Sequence, residues 1–161
     1  MRKLCVLLCL LLTLSGCSKP AAVEITGPAC TISISCATIL NNPEKLDSEK
    51  SELVPVDGWL LTETKVALQE GDSVFELLLR ACHENDLHME YVDTPLYDSA
   101  YIEGIGNLYE FDCGNESGWM YSVNGIFPNY GCSQHKPQDG DVIRWVYTCD
   151  LGRDVGERMA E

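Results

Sequence analysis

The chain has 161 residues, 45% of them hydrophobic and 22% charged, with 25 acidic against 11 basic side chains and a net charge of −14. That length suits one domain with a real core and is short for two. So acidic a surface repels nucleic acid and anionic lipid, which excludes polyanions as expected partners.

In chain order, Arg2 and Lys3 come first, followed by the apolar run Leu4–Leu14, broken only by Thr13. The run is too short for a membrane span, which takes roughly 20 residues, and suits the core of a secretory signal. Leu14-Ser15-Gly16-Cys17 follows it and resembles the bacterial lipobox. The expectation is a signal peptide over 1–16, cleavage before Cys17 and a diacylglyceride thioether on its sulfur. The protein would then be held on the outer face of the cell membrane by its lipid anchor. Several acyl chains anchor stably where one binds only marginally. Without Arg2 and Lys3 the basic count is 11 − 2 = 9 against 25 acidic residues, or −16. Residues 17–29, with Pro20, Gly27 and Pro28, read as a linker to a domain spanning 30–150.

The domain opens on "CTISISC", where Cys30, Ile32, Ile34 and Cys36 alternate with polar residues as in a half-buried strand. Residues 41–58 are polar, with Pro43, Pro55 and Gly58, and read as an excursion. A second strand is expected over Leu60–Leu68. "EGDSVFELLLRACHEN" (70–85) is the one clear helix. Ser73 and Glu76 form a capping box, after which Val74, Leu77, Leu78, Ala81 and Cys82 recur at helical spacing. "LHMEYV" (87–92) reads as a third strand, and 94–112 as loop-rich with a short helix and the strand-like "LYEF". Trp119–Val123 reads as a strand ending on Asn124-Gly125, a strong hairpin signal. In "DGDVIRWVYTC" (139–149), Ile143, Trp145, Tyr147 and Cys149 share one face of a final strand. Residues 151–161 lack apolar periodicity and read as a mobile tail. The order of elements implies an α+β fold, a β-grasp-like mixed sheet wrapped around one main helix.

Of nine cysteines, Cys5 and Cys9 leave with the signal and Cys17 carries the lipid. The six left are Cys30, Cys36, Cys82, Cys113, Cys132 and Cys149, an even number that suggests disulfides, with fifteen pairings open. Cys113 and Cys132 flank the hairpin and are the first pair expected; buried free thiols are the alternative. No C-x-x-C occurs, and His83, His88 and His135 have no zinc-like spacing, so no metal is expected. No serine stands in a G-x-S-x-G frame, and Asp139-Gly140-Asp141 reads as a turn, so no catalysis is expected.

"EGDSVFELL" (70–78), "AYIEGI" (100–105), "SGWMYSVNG" (117–125) and "DGDVIRWVYTCDLG" (139–152) carry a resemblance to the bacterial transcobalamin C-terminal-domain-like family, extracellular modules of unassigned function. In animal cobalamin carriers the corresponding small domain is a β-grasp lying over one face of the corrin ring. The resemblance implies that the strand Gly118–Tyr121 and the turn Asp139–Ile143 face a ligand. The large helical barrel that completes the site in those carriers has no counterpart in these 161 residues, so a partner protein is expected to cover the ligand's other face.

Trp119, Tyr121, Asn124, Phe127 and Tyr130 are therefore the expected ligand-binding residues, the alternative being that Trp119 and Tyr121 pack on the helix as core. Phe127 and Tyr130 add more apolar area than one small core readily absorbs. The expected function is a lipid-anchored module binding cobalamin, another corrinoid or a different flat ligand, with no cofactor required and with a surface or transporter protein as partner. The alternative is a cell-surface module that docks a protein or cell-wall component at the same aromatics.

Overall fold

The computed structural model describes residues 25–156 and 158–160. The expected signal peptide and Cys17 lie outside the described residues. Two sheets and one main helix make up the fold, an α+β arrangement. The larger sheet runs in the order β2 (Trp59–Ala67), β1 (Ala29–Ser35), β8 (Val142–Thr148), β6 (Gly118–Val123), β7 (Ile126–Phe127) and β9 (Arg158–Met159). β1 and β2 form an antiparallel pair, as do β8 and β6, while β1 and β8 run parallel with Ile32 opposite Ile143 and Ile34 opposite Trp145. A hairpin, a helix, and a last strand inserted beside the first is the arrangement of a β-grasp.

The alternation of "CTISISC" sets which side chains of β1 enter the main core, although Ser33 and Ser35 on its other face are buried as well. Cys30, Ile32 and Ile34 enter the main core with Ile143 and Trp145 of β8 and Tyr121 and Val123 of β6. α2 (Val74–Glu84) closes this core with Val74, Leu77, Leu78, Ala81 and Cys82, the five residues its spacing marks. Its N-terminus is capped as the sequence implies: Phe75 N–H donates to Ser73 Oγ, and Ser73 N–H donates to the Glu76 carboxylate at 2.7 Å. Asp72 adds an anion where the helix dipole favours one, paired to both guanidinium nitrogens of Arg80 at 3.0 Å.

Along the same face of β8 a second core continues with Tyr147 and Cys149. It adds Cys36 and Ile39 of α1 (Ala37–Leu40), Leu108 and Cys113. The excursion 41–58 holds a 3-10 turn at Ser48–Leu53.

Two expectations change. Residues 99–105, read as loop, form β4 (Ser99–Ile105), the middle strand of a smaller sheet between β3 (Met89–Thr94) and β5 (Leu108–Tyr109). Glu103 is skipped in the register with β3, and Gly104 follows because the Tyr109 ring occupies the space a side chain would need, with its nearest atom 2.7 Å from a Cβ position. The region read as a mobile tail places Arg158 and Met159 in β9, parallel to β7.

Ser73→Ala should cost about 1 kcal/mol through the lost cap, against about 3 kcal/mol for Leu77→Ala in the core, both read from denaturant midpoints. Burial raises the Asp72 carboxyl, but Arg80 and the Gln69 N–H outweigh it and hold it below its ordinary 3.8. A depressed carboxylate contributes stability above its unfolded value, and that contribution disappears as pH falls through the folded one. Acid titration of stability should therefore be shallower below pH 3.8 in Asp72→Asn than in the wild type.

Candidate functional site

β6 lies on β8 along its whole length, with Trp119 opposite Tyr147 and Tyr121 opposite Trp145. On its other side it pairs with β7 only at Val123–Ile126. Both cross-strand pairs are aromatic contacts, with centroids 5.2 Å apart and nearly perpendicular for Trp119–Tyr147 and 5.4 Å apart for Tyr121–Trp145. Such pairs stabilise a sheet beyond the area they bury. Trp119 donates its indole N–H to Leu108 O at 2.8 Å, which fixes the ring half-buried at the sheet's end.

Two turns rise beside Trp119. The first, over 109–117, is held from below: the Tyr147 hydroxyl lies 2.7 Å from Tyr109 O and 2.9 Å from Ser117 Oγ. Ser117 Oγ accepts from Cys113 N–H at 3.1 Å. The second turn, after β8, is held by Asp154, which accepts from Cys149 N–H at 2.8 Å. Leu151 N–H donates to Glu116 O at 2.9 Å, and Arg153 bridges to Glu116 at 3.0 Å, so the two turns are tied together.

Each turn forces one apolar residue into the left-handed region, Phe111 at φ 70° and Leu151 at φ 48°. That conformation costs a non-glycine L-residue roughly 1–2 kcal/mol. Both side chains point outward, 59% and 60% exposed, beside Tyr101 at 46%. Together with Trp119 and Met120 they line a groove of about 270 Å³, whose polar lining includes Asn115 and Thr148. Large apolar side chains held outward on strained backbone mark a site better than isolated exposed residues do. The Tyr101 hydroxyl donates to Glu110, and burial together with that acidic partner pushes it up to about 12, so it stays protonated.

A second depression of about 150 Å³ shares Tyr101 and Trp119 and is walled by Tyr121, Cys132 and Trp145. The Trp145 indole N–H is buried in the main core without a hydrogen-bond partner among the described residues. A buried unpaired donor is unusual in a native fold.

The five expected site residues separate. Trp119 lines the groove. Tyr121 is 8% exposed, belongs to the core and donates its hydroxyl to Tyr130 O at 3.0 Å. Phe127 is 2% exposed and packs inward on β7, which lies between β6 and β9 in the larger sheet. Asn124 sits in the hairpin turn with φ 53°, followed by Gly125 at 78°, and donates to Asp141 at 2.8 Å. Tyr130 is exposed and stacks on His135, its hydroxyl 2.9 Å from Nδ1. Asn124 and Tyr130 line a different depression with Ile126 and Pro128.

The six cysteines among the described residues are all buried, and no two of them are bonded in this structure. Cys113 does not meet Cys132, which belongs to the main core and whose sulfur donates to Ala100 O. Cys113 lies instead in the second core, 3.1 Å from Cys149. Cys36 shares that second core, while Cys30 and Cys82 lie with Cys132 in the main one. Among the described residues no group of three or more His, Cys, Asp or Glu side chains could hold a metal.

Sequence reasoning missed Tyr101, Phe111, Met120 and Leu151. The alternation of Ala100 and Ile102 with Tyr101 and Glu103 carried a signal for the first. No local pattern marks Phe111 or Leu151, whose display depends on turns set by distant partners.

Residues 71–149 match the family model of a domain of unknown function, DUF4430. No curated protein matches the sequence. Among solved structures the chain is similar to haptocorrin in complex with Cbi, with 14% identity and a TM-score of 0.48 over 76% of this chain. The match spans 26% of the haptocorrin chain, so this protein corresponds to about a quarter of that length. It is also similar to a candidate metal-binding protein of Ruminococcus gnavus ATCC 29149, with 15% identity and a TM-score of 0.43 over 75% of this chain and 96% of the other.

Phe111→Gly should leave stability within about 1 kcal/mol of wild type, because relief of the left-handed strain offsets the loss of an exposed ring. Phe127→Ala should cost about 3–5 kcal/mol. Thermal melts of the two variants would distinguish the displayed aromatic from the packed one.

Proposed function

We propose that this chain is a lipid-anchored extracellular binding module that holds a small flat ligand against Trp119, between the Phe111 and Leu151 turns. The observation that carries this reading is the convergence of Tyr101, Phe111 and Leu151, all exposed, on one groove, with two of the three on strained backbone. Aromatic and aliphatic side chains offer such a ligand broad contact, and Asn115 and Thr148 offer hydrogen bonds at its edge. The net charge of −14 disfavours anionic ligands.

The groove, about 270 Å³, falls just below the range of roughly 300–1,000 Å³ usual for enclosed ligand sites. It would grip one face of a large ring and leave the other open, which calls for a partner protein to cover it. The motif resemblance makes a corrinoid the first ligand to test. Anchoring at Cys17 places the module where it can receive a ligand from outside and pass it to an uptake protein.

A second reading, docking of a surface protein, is favoured by the exposed Ile126 and Tyr130 beside Pro128.

Titration with cobalamin and cobinamide, followed by visible absorbance and thermal shift, is the direct test. Saturable binding that Phe111→Ala weakens roughly tenfold is the expected outcome. No response at high micromolar ligand, with or without candidate partner proteins, would refute the corrinoid reading. Separately, Cys17→Ala should release the protein into the medium or leave it unprocessed; normal processing with retained anchoring would refute the lipid anchor.

A further inference from the structure

We propose that Cys113 and Cys149 form a disulfide that staples together the two turns walling the groove. Their sulfurs lie 3.1 Å apart, and a bond of about 2.05 Å is within reach of small side-chain rotations. Both are buried in the smaller core beside Tyr147.

Their positions give the bond its consequence. Cys113 follows Phe111 by two residues, and Cys149 precedes Leu151 by two. Each cysteine therefore anchors the root of a turn that displays a strained apolar side chain. Leu151 N–H to Glu116 O and the Arg153–Glu116 ion pair already join the turns at the surface, where water competes. A covalent link beneath them would fix the groove's width regardless of solvent. Its effect on ligands rests on the groove being the binding site; the bond itself does not.

The alternatives are spatially excluded for three of the other four cysteines. Cys30, Cys82 and Cys132 belong to the main core, and only Cys36 shares the smaller one. Burial raises both thiols, that of Cys149 to about 12, with Cys113 beside it adding to the rise, so the folded dithiol is a poor nucleophile. The bond therefore forms during folding, before β8 closes over the smaller core. The oxidant is a disulfide, either a small molecule such as oxidised glutathione or a protein. One cysteine thiolate attacks it, giving a mixed disulfide and releasing one thiol. The second cysteine then attacks the protein-side sulfur and releases the other. Two protons and two electrons pass from the cysteine pair to the oxidant, which leaves as two thiols.

The full chain, reduced and denatured, would be refolded in an oxidising glutathione buffer, denatured again, alkylated without reduction and digested. The expected result is a Cys113–Cys149 linked peptide, with Cys30, Cys36, Cys82 and Cys132 alkylated. Reductant should lower the melting temperature of the oxidised protein by roughly 10 °C. Cys113→Ser and Cys149→Ser should each reproduce that loss, and the double variant should add little to it. Alkylation of both Cys113 and Cys149, or either of them found bonded elsewhere, would overturn the proposal. A linked peptide in a protein that binds no flat ligand would uphold the bond and refute only the reading of the groove.

Discussion

The parallel pairing of β1 with β8 is the constraint on which the rest of the structure depends. It joins Thr31–Ser35 to Val142–Val146, the first strand to nearly the last, and places Ile32 beside Ile143 and Ile34 beside Trp145. Every other part of the larger sheet is built outward from that seam. β2 can hairpin onto β1 locally, but β6 has no seat until β8 is in place. Such long-range contacts are entropically costly to close and are rewarded late in folding. α2 offsets that cost by adding its one apolar stripe to the main core that β1 and β8 share.

The same seam sets the position of the groove. β8 carries Trp145 into the main core and Tyr147 into the smaller one, two residues apart on one face. Tyr147 then supports the 109–117 turn through Tyr109 O and Ser117 Oγ, and it packs edge-on against Trp119. A single strand thus contributes Thr148 to the groove's lining, the hydrogen bonds under one wall and, through Cys149, the root of the other wall. Because both walls hang on one rigid element, the strained conformations of Phe111 and Leu151 are held by more contacts than either turn could supply alone.

What was legible came from signals contained within a few residues. The alternation in "CTISISC" specified a strand and the side chains it gives to the main core, but not that Ser33 and Ser35 opposite them are buried too. Ser73 and Glu76 specified where α2 begins, and Asn124-Gly125 specified a turn with positive φ at both residues. Trp119, on a strand that reads as aromatic and half-buried, does line the groove. Tyr121 and Phe127 were misplaced because an aromatic side chain carries no local mark that tells display from packing. For Tyr121 the decision lay with Trp145 across the sheet, and for Phe127 with the pairing of β7 between β6 and β9. Of the smaller sheet only the middle strand was missed, because β4 breaks its alternation at Glu103, where the register with β3 slips.

The sequence by itself determined the α+β class, the main helix with its cap and buried face, the central strands and the hairpin. Each of these is decided by hydrogen bonds and side-chain periodicity over a span shorter than a dozen residues. Only the tertiary structure decided that Cys113 meets Cys149 rather than Cys132, and that Phe111 and Leu151, forty residues apart in the chain, face one groove. Those outcomes follow from the parallel closure of β1 on β8. The closure brings distant segments together at a register fixed by the buried faces of both strands, and no local pattern encodes that register.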